Sequence, residues 1–218
     1  MERVTIQTMQ AMKERGEPIV MLTAYDTPAA RLIDEAGIDA ILVGDSLGMV
    51  VHGLETTLPV TMDMMILHCQ AVRRGVQRAL TIGDMPYMSY QLSIEDAKRN
   101  AARFLSEGGM DAVKLEGGQP MAKTVRALVE IGIAVQGHIG LTPQSVSAMG
   151  AGAGCDGQVL VLHDLLGLSG RTPKFARQYA DLGAAMKAAF KAYRDDVRAR
   201  AFPTDEYAYS LSDEMWQA

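Results

Sequence analysis

Short apolar runs alternate with longer amphipathic stretches along most of this chain. Thr5 to Arg15 predicts a first helix, stopped by Gly16 and Pro18. Ile19 to Ala24 (IVMLTA) is a continuous apolar run, the pattern of a strand covered on both faces. Thr27-Pro28 opens the next helix, a side-chain cap followed by a proline whose missing N–H costs nothing there, and Gly37 ends it. Ala40 to Gly44 (AILVG) is the second strand. Met62 to Arg78 reads as a helix with Met65, Leu67, Val72 and Val76 as core contacts. Ala79 to Gly83 (ALTIG) is the third strand. Ser93, with Asp96 three residues on, resembles a capping box and opens a helix to Ser106. Ala112 to Glu116 (AVKLE) is the fourth strand and Met121 to Glu130 a helix. Ile133 to Ile139 is the fifth strand and Gln158 to Leu162 (QVLVL) the sixth. A last helix covers Pro173 to Arg198.

Strands separated by helices imply parallel pairing through right-handed crossovers. One unit recurs: Gly37-Ile-Asp-Ala-Ile-Leu-Val-Gly44 and Gly109-Met-Asp-Ala-Val-Lys-Leu-Glu116, each a terminating glycine, an aspartate turn and a strand. This repetition favours an α/β fold of the (β/α) barrel type over a doubly wound sheet. The first strand is not followed by a Gly-x-Gly-x-x-Gly turn, which also argues against a dinucleotide fold. A closed barrel of this type needs eight strands and typically about 250 residues. Six strands are recognisable here, and the stretch between the fifth and sixth is too short for two more βα units. The small-residue stretch Ser147 to Gly157 is the nearest thing to a linker.

Composition narrows the function. The 218 residues are 48% hydrophobic and 22% charged, as in an ordinary globular domain. A net charge of −5 argues against sequence-blind nucleic-acid binding, which runs on excess Lys and Arg. Two cysteines, Cys69 and Cys155, make neither a disulfide framework nor a zinc knuckle and fit a reducing, cytoplasmic setting. No apolar run approaches the ~20 residues of a membrane span, and the charged N-terminal stretch does not read as a signal peptide.

Chemistry concentrates at the C-terminal ends of the predicted strands, where barrels of this class carry their active sites. In order these ends hold Tyr25-Asp26, Asp45-Ser46, Asp84, Lys114 with Glu116, and His138. Taken singly, Asp45 and Asp84 could cap turns, His138 could be a core histidine, and Lys114 with Glu116 could be a surface ion pair. Lys114 and Glu116, however, are two apart and face the same way in a strand that is otherwise apolar. Solvation explains such a setting poorly, and a convergent site explains it well. Three carboxylates at one mouth repel unless a cation joins them, and hard oxygen donors point to Mg²⁺. Lys114 beside the metal suits an anionic substrate group, so a 2-oxo acid chelated through carboxylate and keto oxygen is the expected ligand. The glycine-rich Gly150 to Gly157 lacks a P-loop ending and reads as a turn. His68 and Cys69 are adjacent on a helix, point different ways, and do not read as metal ligands. Met62, Met64 and Met65 read as packing, and the charged positions of the last helix as a solvated face.

Several segments together resemble the ketopantoate hydroxymethyltransferase family. They are MLTAYD (Met21 to Asp26), ILVGDSLGMVVHG (Ile41 to Gly53), TLPVT (Thr57 to Thr61), GDMPYMSYQ (Gly83 to Gln91), AVKLEGG (Ala112 to Gly118), GHIGLTPQSV (Gly137 to Val146), the stretch from Gly152 to Leu168, and KFARQYADL (Lys174 to Leu182). The resemblance implies a (β/α)8 TIM barrel of the phosphoenolpyruvate/pyruvate-binding type. It implies transfer of a hydroxymethyl group from the folate co-substrate 5,10-methylenetetrahydrofolate to 3-methyl-2-oxobutanoate, giving 2-dehydropantoate for pantothenate biosynthesis. It further implies Mg²⁺ on Asp45, Asp84 and Glu116 (the last through water), the oxo acid on Asp45, Ser46, Asp84 and Lys114, and a homo-oligomer.

The chain departs from the family in one respect. Members carry further sequence between the LTPQSV and GAG-CDGQ segments, holding a helix, the sixth strand, another helix and most of the seventh strand. Here Val146 to Gly150 runs directly into Ala151 to Cys155. The expectation is a single domain over residues 1–218 that lacks those units. The family's proton-accepting glutamate belongs to the missing stretch, and no glutamate occurs between Glu130 and Glu206. Reduced turnover is therefore expected. A non-catalytic binding or oligomer subunit and a related Mg²⁺-dependent 2-oxo acid lyase stand as alternatives.

Overall fold

The computed structural model describes residues 2–138 and 155–208. Its strands are β1 (Ile19–Thr23), β2 (Ala40–Val43), β3 (Leu80–Asp84), β4 (Ala112–Leu115), β5 (Val135–Gly137) and β6 (Gly157–Leu160). Its helices are α1 (Ile6–Arg15), α2 (Thr27–Glu35), α3 (Leu47–Val50), α4 (Met62–Gly75), α5 (Ile94–Ser106), α6 (Ala122–Glu130), α7 (Leu162–Leu165) and α8 (Leu182–Arg198). The strands form one parallel sheet in the order β5-β4-β3-β2-β1-β6. Among the described residues β5 and β6 are its two edges, so this is a (β/α) barrel whose wall is open between them.

Short polar caps start the helices. Thr5, Thr61 and Ser93 each accept a hydrogen bond from the backbone N–H three residues on, pairing a donor the helix itself cannot satisfy. The recurring glycine–aspartate unit does the same job twice. Gly37 and Gly109 take left-handed φ of 81° and 71°, which a side chain disfavours. The aspartate that follows two residues later then grips an adjacent strand. Asp39 donates its N–H to the Val20 carbonyl and accepts the Val20 N–H on Oδ2 at 3.0 Å. Asp111 treats Thr81 alike, with Oδ2 2.9 Å from the Thr81 N.

Alternation along the strands separates two cores. Ile41, Val43, Val113 and Leu115 face outward and pack with Met65, Cys69, Val72, Phe104 and Leu128 of the surrounding helices. Met21, Ala40, Leu42, Leu80, Ile82 and Ala112 face inward, and Val4 ahead of α1 packs among them. The Val4 N–H also bonds the Arg78 carbonyl. Burying a side chain such as Leu128 or Val72 completely contributes about 1.5–3 kcal/mol, so these two layers supply most of the driving force.

Four expectations need correction. Leu67 is 65% exposed, because α4 buries Met65, Ile66, Cys69 and Val72 and turns position 67 to solvent. The cap of α2 is Asp26, whose Oδ1 accepts the Ala29 N–H, while Thr27 is already helical and donates its hydroxyl to the Ala71 carbonyl. The last helix begins at Leu182, where Asp181 caps it, so the stretch from Pro173 to Asp181 is not helical. β1 is not covered on both faces: Val20 is 45% exposed on the side turned away from the inner core. The segment from Ile139 to Gly154 lies outside the described residues. That includes the end of the expected fifth strand, most of the glycine-rich stretch and the Val146–Ala151 junction.

Candidate active site

The inner face of the sheet changes character along its length. Asp84 pairs with Lys114 in the parallel register, two residues beyond the pairing of Ile82 with Ala112. The period of two therefore stacks Leu80, Ile82 and Asp84 on one face of β3, and Ala112 and Lys114 on the same face of β4. Glu116 continues that row past β4. Apolar residues fill the lower part, and ionisable ones occupy the C-terminal end.

Lys114 is the hub. Its Nζ lies 2.6 Å from Asp84 Oδ1 and 3.6 Å from Glu116 Oε1, and all three side chains are nearly buried. Asp84 Oδ2 accepts the backbone N–H of Asp45 at 3.2 Å. Glu116 Oε1 stands 3.1 Å from His138 Nδ1, a contact outside hydrogen-bond geometry. Beside this group, the hydroxyls of Tyr25 and Ser46 are 2.9 Å apart. A Cβ at Gly44 would stand 2.8 Å from Ser46 Oγ and 3.8 Å from Asp84 Oδ2, so the bare glycine keeps this space open.

The electrostatics follow from burial and from an excess of negative charge. Burial and then the Asp84 charge push the Asp45 carboxyl up to about 7, against the pull of Lys114. Burial alone would lower the Lys114 ammonium, but Asp84, Glu116 and Asp45 overcome it and hold it above the ordinary lysine value. Burial would raise Glu116, but the His138 ring and Lys114 bring it below the usual range. Burial also lifts the Tyr25 and Tyr90 phenols to about 12, so both stay protonated.

The structure thus gathers Asp45, Ser46, Asp84, Lys114, Glu116 and His138 at one end of the sheet. Among the described residues, no three His, Cys, Asp or Glu side chains close on a single ion position as they stand. The Lys114 ammonium takes the place between Asp84 and Glu116. Asp26 belongs to the α2 cap rather than to the cluster. Sequence reasoning missed Tyr90, whose hydroxyl accepts the Glu116 N–H at 3.1 Å. It also gave no role to His163, which follows β6 with its ring centroid 5.5 Å from that of Tyr25. Burial lowers the His163 pKa, against the nearby Asp164 and Asp26 charges. The mixed GDMPYMSYQ run has no period to show that one of its tyrosines turns back onto the strand.

A family-wide sequence model described as ketopantoate hydroxymethyltransferase matches residues 3–151 and 146–205. The chain belongs to the ketopantoate hydroxymethyltransferase family. Curated relatives agree with the family match. The 3-methyl-2-oxobutanoate hydroxymethyltransferase of Moorella thermoacetica is 48% identical over 263 aligned positions, covering 95% of this chain and 98% of the relative. That of Desulforapulum autotrophicum is 46% identical over 259 positions, with the same coverage. Among solved structures, a phosphonopyruvate hydrolase aligns over 100% of this chain and 94% of its own, at TM-score 0.51 and 13% identity, a likeness of fold alone. These relatives lend no support to a non-catalytic subunit, to a lyase, or to reduced turnover.

Proposed function

We propose that this chain carries out the reaction named for its relatives: transfer of a hydroxymethyl group from 5,10-methylenetetrahydrofolate to 3-methyl-2-oxobutanoate, yielding 2-dehydropantoate for pantothenate biosynthesis. The observation that carries this reading is the Asp84–Lys114–Glu116 cluster at the C-terminal end of a parallel barrel sheet, in a chain of this family.

The donor set fits Mg²⁺. Asp45, Asp84 and Glu116 supply hard oxygens, and one ammonium cannot balance three carboxylates. That imbalance contributes to holding the Asp45 carboxyl up at about 7. We assign the ion to Asp45, Asp84 and Glu116. When bound, it polarises the keto oxygen of the oxo acid and acidifies the adjacent C–H. The residues of the chain do the rest. Lys114 offers its ammonium to the substrate carboxylate, with Asp45, Asp84 and Ser46 around it. Tyr25 orients the Ser46 hydroxyl, and Tyr90 fixes the backbone at Glu116. No glutamate takes the proton-accepting role. The nitrogen bases at this end of the described structure are the imidazoles of His138 and His163, beyond β5 and β6.

We read the chain as one barrel domain over residues 1–218 that lacks the family's sixth and most of its seventh βα unit. In support, the two family matches meet at residues 146–151, and the relatives align over more positions than the chain has residues. We also infer a homo-oligomer. No residue of α8 is buried, and Met186, Phe190, Tyr193 and Val197 lie exposed at helical spacing along it. No described helix is long and apolar enough to cross a membrane, consistent with a cytoplasmic enzyme. The site reading is tested by proton NMR of 3-methyl-2-oxobutanoate in D₂O. Exchange of the C3 proton that needs both the chain and Mg²⁺, and is lost in Asp84→Asn, supports it. Exchange at the buffer rate refutes it.

A further inference from the structure

His52, just past α3, and His68, in α4, meet although 16 residues separate them. Their Nε2 atoms are 3.1 Å apart and their rings are nearly perpendicular, at 88°. His68 Nδ1 lies 2.6 Å from the carbonyl oxygen of Tyr25. A carbonyl only accepts, so Nδ1 carries the proton and donates it. In the uncharged tautomer that this bond selects, the lone pair lies at Nε2, on the side of His52. A ring N–H anchored on a backbone carbonyl is the arrangement that orients metal-binding histidines and fixes their tautomer. Two imidazole nitrogens on one tetrahedral ion, each at ~2.0–2.1 Å, stand about 3.3 Å apart, close to the separation here.

We propose that His52 and His68 form a two-imidazole site for a borderline transition-metal dication such as Zn²⁺, Ni²⁺ or Cu²⁺, separate from the carboxylate cluster. Imidazole pairs select such ions, whereas Mg²⁺ prefers carboxylate and water. The neighbouring Cys69 is wholly buried and packs in the outer core, so it is no third ligand. Among the described residues no third histidine, cysteine or carboxylate joins the pair, and water completes the coordination. His52 is exposed and His68 half-buried, which leaves the ion a path from solvent. An ion here ties the end of α3 to α4. Through the Tyr25 carbonyl it also ties both to the end of β1, next to the Tyr25–Ser46 pair.

The test uses the full, untagged chain in excess Mg²⁺, titrated with Cu²⁺ and followed by electron paramagnetic resonance, with Zn²⁺ competition for affinity. The expected result is one tight Cu²⁺ showing coupling to two nitrogens. His52→Ala and His52→Gln should weaken binding at least ~tenfold and remove one nitrogen. Asp84→Asn and His138→Gln should leave affinity and spectrum unchanged. The proposal is overturned if His52→Ala binds like the parent, or if Asp84→Asn or His138→Gln abolishes the signal. It is also overturned if the folded parent binds no Cu²⁺ or Zn²⁺, which would leave the pair as an imidazole–imidazole hydrogen bond.

Discussion

Replacing Lys114 with Met removes the one cation that the structure places between Asp84 and Glu116. Asp84 would then keep the Asp45 N–H as its polar contact, with a side chain only 5% exposed. Breaking a buried ion pair by deleting one partner costs about 3–5 kcal/mol, because a charge is left without compensation. At a urea m-value of ~2 kcal/mol/M, Lys114→Met should lower the unfolding midpoint by roughly 1.5–2.5 M. Asp84→Asn should also destabilise, since it leaves the ammonium short of its closest carboxylate. The double variant Asp84→Asn/Lys114→Met removes both charges and should recover at least about 1 kcal/mol relative to the sum of the single losses. Urea unfolding of the four proteins, followed by circular dichroism without metal, measures the cycle. Additivity within ~0.5 kcal/mol would refute the claim that these side chains form one buried electrostatic unit.

Three further outcomes are expected. Asp34 accepts the backbone N–H groups of Gln77, Arg78 and Ala79, and these overcome its burial to hold its carboxyl below the usual range. The stability it adds is therefore present above the unfolded pKa of ~3.9 and drains away as pH falls through the lower folded value, so thermal melts from pH 7 to pH 3 should be less steep in Asp34→Asn; equal slopes would count against this. Gly83→Ala would drive a Cβ into the Phe104 ring, and such overpacking should cost about 1–3 kcal/mol or more in calorimetry, whereas an unchanged Tm would mean that Phe104 moves freely. If α8 is an assembly surface, Met186→Glu/Phe190→Glu should shift light-scattering mass downward with the monomer still folded, and an unchanged mass would exclude it.

The fold was legible wherever an element was long enough to show its period. Runs such as AILV and the Leu80–Asp84 segment could be placed within a residue, and the glycine–aspartate repeat marked the parallel βα units. α3 and α7 escaped because four residues hold barely one turn, too few for a 3.6-residue pattern. The start of α8 was misplaced because its cap, Asp181, lies in a polar stretch that gives Pro173 equal standing. Asp45, Asp84, Lys114 and Glu116 could be named because strand ends in a barrel converge. The Tyr90–Glu116 bond and the His52–His68 pair could not, since Tyr90 and His52 each lie on a connecting segment whose path the pattern does not show.

The central claim is hydroxymethyl transfer at the Asp84–Lys114–Glu116 mouth. The most direct measurement is formation of 2-dehydropantoate by the purified chain supplied with 3-methyl-2-oxobutanoate, 5,10-methylenetetrahydrofolate and Mg²⁺. Product that appears only when all three are present, and disappears in Lys114→Met tested below its unfolding midpoint, is the predicted result. A folded chain that forms no product, or that cleaves a 2-oxo acid without folate, would contradict it.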